Sequence, residues 1–212
     1  SVSLMNIDPH TYAETFIAEG SVKSAARARG EENGVSDASQ GTGAYLRQLA
    51  HQIKAQSVVE IGTGSGVGSL WILEGMLASG TLTSIDDEME HTTIAKIALA
   101  EADIAQTRIR FITNSVMDVM TKLTDRAYDL VIFRHNPEDL SFAISEAHRI
   151  LRSGGVFVID NFYGGGKVPD PAQRDPKTIA LREAGKAVKA DTDSWVTSLI
   201  PIGDGLLLAT KL

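Results

Sequence analysis

The stretch Val58-Val59-Glu60-Ile61-Gly62-Thr63-Gly64-Ser65-Gly66 constrains the fold more than any other part of the chain: an apolar strand runs into an acid and three alternating glycines just before a helical pattern begins. Glycine at these places lets the turn take positive φ and lets a ligand approach the backbone, while the N–H groups opening the next helix face outward as donors. Such a turn builds a ligand pocket at the carboxyl end of a strand. Around it, short β-rich runs alternate with helical ones, with strands expected at 58–61, 82–85, 109–112, 130–133 and 156–159. Five strands separated by helices give a parallel, doubly wound α/β sheet. The last two strands, 195–200 and 206–209, flank Pro201-Ile202-Gly203-Asp204-Gly205, whose glycines suit a hairpin turn, so the expected seven-stranded sheet is mostly parallel with an antiparallel C-terminal hairpin. Residues 1–55 read as a helical N-terminal cap, with a loop at 30–43 and helical spacing of Tyr45, Leu46, Leu49 and Ile53. The whole chain, 1–212, reads as one domain with its core over 56–212.

The glycine spacing narrows the ligand. A dinucleotide fingerprint places its third glycine where this chain has Val67, so Gly62, Gly64, Gly66 and Gly68 fit it poorly, and a nicotinamide-dependent dehydrogenase needs a different spacing. The Gly-Lys-Ser/Thr ending of a phosphate-binding loop is missing. Glu60, just before the first glycine, repels a pyrophosphate and pairs with an ammonium. S-adenosylmethionine carries an ammonium, a sulfonium and no phosphate. Asp86 ends the second strand about 20 residues beyond the glycines, where a ribose-binding acid is expected.

These features resemble the class I, S-adenosylmethionine-dependent methyltransferases with a Rossmann-like fold, and within them the catechol and caffeoyl-coenzyme A O-methyltransferases. The resemblance spans most of the chain. It rests on 59–66, Leu82-Thr83-Ser84-Ile85-Asp86, Tyr128-Asp129-Leu130-Val131-Ile132, Leu151-Arg152-Ser153-Gly154-Gly155, Asp160-Asn161 and 201–205. It implies methyl transfer to a hydroxyl of a small, aromatic or polyketide-like acceptor, and a homodimer.

Composition excludes other classes. With 20 Lys plus Arg against 27 Asp plus Glu the net charge is −7, and no basic run would track phosphates, so nucleic acid is not an expected substrate. Zero cysteines exclude disulfides and thiolate metal sites and suit an intracellular protein. No apolar stretch approaches the roughly 20 residues that span a bilayer, and the start Ser1-Val2-Ser3-Leu4 lacks a secretory signal. The expectation is a soluble, cytoplasmic protein with no membrane partner.

In a doubly wound sheet the ligand lies beyond the carboxyl ends of the strands. That selects Glu60, Gly62, Thr63, Gly64, Gly66 and Gly68, then Asp86 and Asp87, then Asn114 and Ser115, then Arg134, His135 and Asn136, then Asp160 and Asn161. In the resembled family Asn114 and Ser115 lie by the adenine, and Ser39 and Gln40 sit where the N-terminal segment covers the methionine part. Ser39 and Ser115 also read as helix N-caps, Ser115 before a helix at 116–123. The metal-dependent members hold Mg²⁺ with an Asp after strand four and an Asp-Asn pair after strand five, and a nearby Lys helps deprotonate the hydroxyl. Asp160-Asn161 matches the pair and supplies the only metal candidates, whereas Arg134 stands in the first ligand's place and His135-Asn136-Pro137-Glu138 supplies no lysine. A guanidinium cannot ligate a cation, so a divalent metal is doubtful. Two consequences stand open. Arg134 replaces the metal electrostatically while His135 or Asp160 takes the proton, or Arg134 merely pairs with Asp160 in a catalytically diverged, cofactor-binding or regulatory protein. His135 has a second reading as a packing residue. The segment 162–171, with three consecutive glycines, reads as a mobile loop and candidate substrate lid, or as a solvated connection to a helix at 179–189.

Overall fold

The computed structural model describes residues 6–212. Seven strands form one sheet in the order β3-β2-β1-β4-β5-β7-β6: β1 Ser57–Ile61, β2 Thr81–Asp86, β3 Ile109–Thr113, β4 Tyr128–Phe133, β5 Leu151–Ile159, β6 Trp195–Ile200 and β7 Leu206–Lys211. The first five run parallel, and β7 pairs antiparallel with both β5 and β6. The fold is therefore the α/β arrangement expected, closing hairpin included. The order reverses between β1 and β4, and this opens a crevice at their carboxyl ends.

Parallel strands must bury both faces, and successive side chains point to opposite sides. Val58, Leu82, Leu130, Ile132, Val156 and Val158 face a layer built from α2 (Ser21–Glu32), α3 (Gln40–Gln52), α4 (Val67–Gly75) and α5 (Met89–Glu101). Val59, Ile61, Ile85, Val131, Phe133, Phe157 and Ile159 face α6 (Val116–Met120), α7 (Leu140–Ile150) and α8 (Pro176–Ala190). A short α1, Pro9–Thr15, completes the helical cap.

Several boundaries differ from the sequence expectation, each for a local reason. The loop shrinks from 30–43 to 33–39, because Ser39 caps α3 by accepting from the Thr42 N–H at 3.1 Å and the glycines at 41 and 43 lie inside the helix. Gly43 is there for packing, since a Cβ would run into the Trp71 ring of α4. Helix α8 starts at Pro176 rather than 179: proline opens a helix well, and Asp175 accepts from the Thr178 N–H at 3.1 Å. Helix α6 stops at Met120, before 123. Strand β5 begins at Leu151, five residues early, with a register shift opposite Tyr128/Leu130 and Gly154 at φ +79°.

The segment 162–171 is tied down rather than free. Phe162 and Tyr163 donate backbone N–H bonds to Gly205 and Asp204 at 3.0 and 2.8 Å, and Gly165 N donates to Asp204 Oδ2 at 2.7 Å. Arg182 of α8 adds guanidinium bonds to the carbonyls of Val168, Asp170 and Gln173.

Candidate functional site

The glycine turn takes the conformation its sequence demands: φ is +97°, +57° and +92° at Gly62, Gly64 and Gly66. A Cβ on Gly62 would collide with the carbonyl of Arg134, so the β1 and β4 ends approach as closely as they do only because that residue is glycine. Backbone bonds lock the strand ends together, Gly62 N to Ile85 O at 2.8 Å, Arg134 N to Ile61 O at 2.8 Å and Asp160 N to Phe133 O at 3.0 Å. Glu60, Asp86, Arg134 and Asp160 are thereby gathered at the crevice.

Two adjoining cavities occupy it, sharing Gly34, Ser36, His91, Arg134 and His135. One, of about 190 Å³, adds Gly62, Gly64, Asp86 and Asp87. The other, of about 500 Å³, adds Phe133, Asn136, Pro137, Ile159, Asp160, Asn161, Lys177 and Leu181. The first is walled by the glycine turn and the two acids after β2, the second by apolar side chains and the Asp160-Asn161 pair. A larger hollow of about 860 Å³ lies against α5 and one of about 470 Å³ against α8, both away from the strand ends.

Asp86 is buried and heavily engaged. Its Oδ2 accepts from Thr63 N at 2.9 Å, Gly64 N at 3.4 Å and lies 3.0 Å from His91 Nδ1, and its Oδ1 accepts from Glu88 N at 2.9 Å. It thus pins the glycine turn to the end of β2, and a ribose hydroxyl would share it with these donors. Thr63 turns its hydroxyl inward to Ser84 at 2.8 Å, and Ser84 donates to Glu60 Oε1 at 2.8 Å.

Glu60 is fully buried beneath the turn, its Oε1 also held by Ser69. Arg134, 7% exposed, donates from Nε to Asp160 Oδ2 at 2.7 Å and stands 3.8 Å from Glu60 Oε2 by Nη1. Gly68 leaves room for that meeting, because a Cβ there would stand 2.8 Å from Glu60 Oε2 and 3.0 Å from Arg134 Nη1. Glu60 Oε2 and Arg134 Nη2 are both buried without hydrogen-bond partners. Burial pushes the Glu60 carboxyl above its ordinary value against the pull of Arg134, Ser69 and Ser84. Burial works to lower Arg134, but Asp160 and Glu60 outweigh it and hold the guanidinium above its ordinary value.

This arrangement does not fit a divalent cation. Of the Asp160 oxygens, Oδ2 accepts from Arg134 and Oδ1 from the Asn161 N–H at 2.8 Å, while a buried permanent cation fills the place beside them. Among the described residues no three acids or imidazoles converge as metal ligands.

His135 packs edge-on to Phe133 with centroids 6.3 Å apart, its Nε2 3.6 Å from Asp87 Oδ2 and 3.9 Å from Asp139 Oδ2. Asn136 caps the turn Pro137–Asp139 by accepting from Glu138 N at 3.2 Å. Asp87 lines the smaller cavity. Ser39 and Gln40 do not line either cavity: Ser39 caps α3 beside Gly203, and Gln40 donates to Ile17 O. Ser115 is exposed and caps α6, and Asn114 accepts from Ser115 N at 2.7 Å. The sequence reading missed Gly34, Ser36, Asp37, His91 and Lys177. His91 carried a usable signal, since it lies five residues past Asp86 in the helix that follows. The others are brought in by packing alone.

The sequence profile of the O-methyltransferase family matches residues 10–212. A relative from Mycobacterium sp. (strain KMS), provisionally named an O-methyltransferase, is 42% identical over 200 residues, covering 94% of this chain and 90% of its own. A Corynebacterium glutamicum protein of known structure superimposes with TM-score 0.87 at 30% identity, covering 95% of this chain and 94% of that one. The O-methyltransferase TomG of Streptomyces achromogenes, solved in complex with SAM and involved in tomaymycin synthesis, superimposes with TM-score 0.83 at 25% identity, covering 94% and 93%. With the reversal of strand order, the positive-φ glycine turn and the acid closing β2, these likenesses identify the chain as a member of the O-methyltransferase family, enzymes that move a methyl group from S-adenosylmethionine to a hydroxyl oxygen.

Proposed function

We propose that the protein methylates a hydroxyl of a small aromatic acceptor without a divalent metal, using His135 as the base, Asp160 to orient the hydroxyl and Arg134 to hold Asp160. The observation that carries this reading is the 2.7 Å bond from Arg134 Nε to Asp160 Oδ2 at the place where the resembled enzymes bind Mg²⁺. S-adenosylmethionine, when bound, supplies an electrophilic methyl group on a sulfonium, with the glycine turn, Asp86 and Asp87 holding its nucleoside. The protein must then deprotonate the acceptor oxygen and align it. His135 Nε2 faces the Asp87 and Asp139 carboxylates, which would stabilise the imidazolium formed when it takes the proton. The guanidinium of Arg134 is buried and turned toward Glu60, which suits a positioning role rather than contact with the acceptor. Phe133, Ile159, Pro137 and Leu181 give the 500 Å³ cavity apolar walls suited to a flat ring, and exposed Lys177 stands at its rim.

The test is S-adenosylhomocysteine formation across a panel of phenols, with Mg²⁺ and with excess chelator. Turnover indifferent to chelator, and lowered about 10²-fold in His135→Gln, is the expected result. Turnover that vanishes with chelator would refute it.

We also propose a cytoplasmic homodimer. The absence of cysteine suits a reducing compartment, and α1 leaves Tyr12 and Phe16 exposed, their rings 5.8 Å apart, as a face a second copy could cover. Sedimentation of the wild type against Tyr12→Ser/Phe16→Ser checks the assembly.

A further inference from the structure

The glycine turn has no spare donors. Thr63 N and Gly64 N donate to Asp86, Gly66 N donates to Thr63 O at 3.3 Å, and Ser65 N donates to Asp37 Oδ1 at 2.9 Å while its hydroxyl also bonds the Asp37 carboxylate. Asp37 comes from the segment between α2 and α3, which lies across the turn. Its oxygen occupies the space that a Cβ on Gly64 would need. Val35 N bonds Gly30 O at 2.8 Å and Ala38 O accepts from Arg27 Nη2 at 2.7 Å, so the strap is anchored at both ends with Asp37 between. Among the described residues Asp37 has no cation within ion-pairing distance; its hydrogen bonds there are the two to Ser65.

From these contacts we infer that Asp37 is a resident competitor for the amino-acid end of the cofactor: its carboxylate holds the Ser65 N–H and hydroxyl that a ligand carboxylate would take, and the cofactor binds only by displacing it. Of the two acids on the turn, Asp86 is buried and fixed by Glu88 N and His91, so Asp37 is the one that yields. The strap's Val35 and Ser36 also line the 190 Å³ cavity beside Asp86 and Asp87, so the segment that carries Asp37 walls the space the ligand would enter. The strap must therefore move for a nucleoside with an amino-acid tail to enter. Charge adds to the contest, because two carboxylates cannot share one pair of donors at low cost. Loose hold on the cofactor and its demethylated product is the consequence.

This inference rests on the cofactor assignment, and the test separates the two. Calorimetric affinities would be measured for S-adenosylhomocysteine, for its decarboxylated analogue and for 5′-methylthioadenosine, which lacks the amino-acid tail. Asp37→Ala should tighten S-adenosylhomocysteine about tenfold and leave the other two within twofold. Asp37→Asn, which keeps the shape and loses the charge, should give an intermediate gain. Amide exchange over 33–39 should rise when S-adenosylhomocysteine binds and stay unchanged with 5′-methylthioadenosine. Unaltered or weaker S-adenosylhomocysteine binding in both variants, each shown folded by its thermal transition, would overturn the competitor role and assign Asp37 to the ligand's ammonium or to structure. No binding of any nucleoside to wild type or variants would overturn the cofactor assignment and this inference with it.

Discussion

Arg134 is where one residue decides most. Placed between Glu60 and Asp160 with almost no exposure, it balances two acids that would otherwise be buried without an opposing charge. Arg134→Met should therefore lower unfolding free energy by about 3–5 kcal/mol in a urea titration, the range for breaking a buried ion pair from one side. Arg134→Lys should recover only part of that, since an ammonium cannot fork between Asp160 and Glu60. Glu60 gives the same cluster a pH signature. Burial raises its folded-state pKa, so just above its ordinary value the folded protein keeps a proton the unfolded chain has lost. Its contribution therefore falls as pH rises through that window and levels off above the raised value. Stability curves of wild type and Glu60→Gln should separate over that window, with the wild type losing ground as pH increases.

At the scale of elements, clips between strands and helices matter more than propensity. Asp129, at the start of β4, accepts from Gln56 N at 2.7 Å and Ser57 N at 2.8 Å and receives Arg152 Nε at 2.7 Å, tying the starts of β1, β4 and β5. Burial works to raise its pKa, but those donors win and hold it below its ordinary value. The sign is opposite to that of Glu60: the stability is present above the unfolded value and is lost as pH falls through the folded one. Asp129→Ala should cost about 3 kcal/mol at neutral pH and flatten the acid limb of the stability profile, readable by denaturant melts. The α3–α4 contact depends on Gly43 lying against Trp71, a ring also faced by Lys23 at 4.4 Å and Arg47 at 5.2 Å. Gly43→Ala should destabilise by about 1–3 kcal/mol and shift the Trp71 fluorescence, because the helices must separate.

Over the whole molecule, the hairpin turn at 201–205 reaches back to the N-terminal helices and to the segment after β5. Glu14 accepts from the N–H groups of Gly41 and Gly203, and Asp204 holds Gly165, so α1, α3 and the segment after β5 converge on one turn. Arg182→Ala, which frees three carbonyls of that segment, should raise the rate of proteolysis between 163 and 175 while leaving the fold intact, as limited digestion would reveal. Strands were legible because a doubly wound sheet prints short apolar runs between helical ones, and the glycine turn because positive φ leaves few residue choices. The length of the loop before α3 was not, since glycines at 41 and 43 mimic a loop unless the Glu14 and Ile202 side chains against the first and the Trp71 ring against the second are known. Nor was the tethering of 162–171, whose three glycines signal freedom while the restraints come from Asp204 and Arg182, far along the chain. In the site, the sequence by itself determined the crevice, the acid closing β2 and an arginine rather than an acid directly after β4, because those follow from residue type and order within one segment. Only the tertiary structure decided that Arg134 pairs with Asp160 in front of Glu60, that Asp86 is committed to the turn and that Asp37 fills it. Those depend on where a side chain from one segment ends against the backbone of another, and distance along the chain carries no record of that.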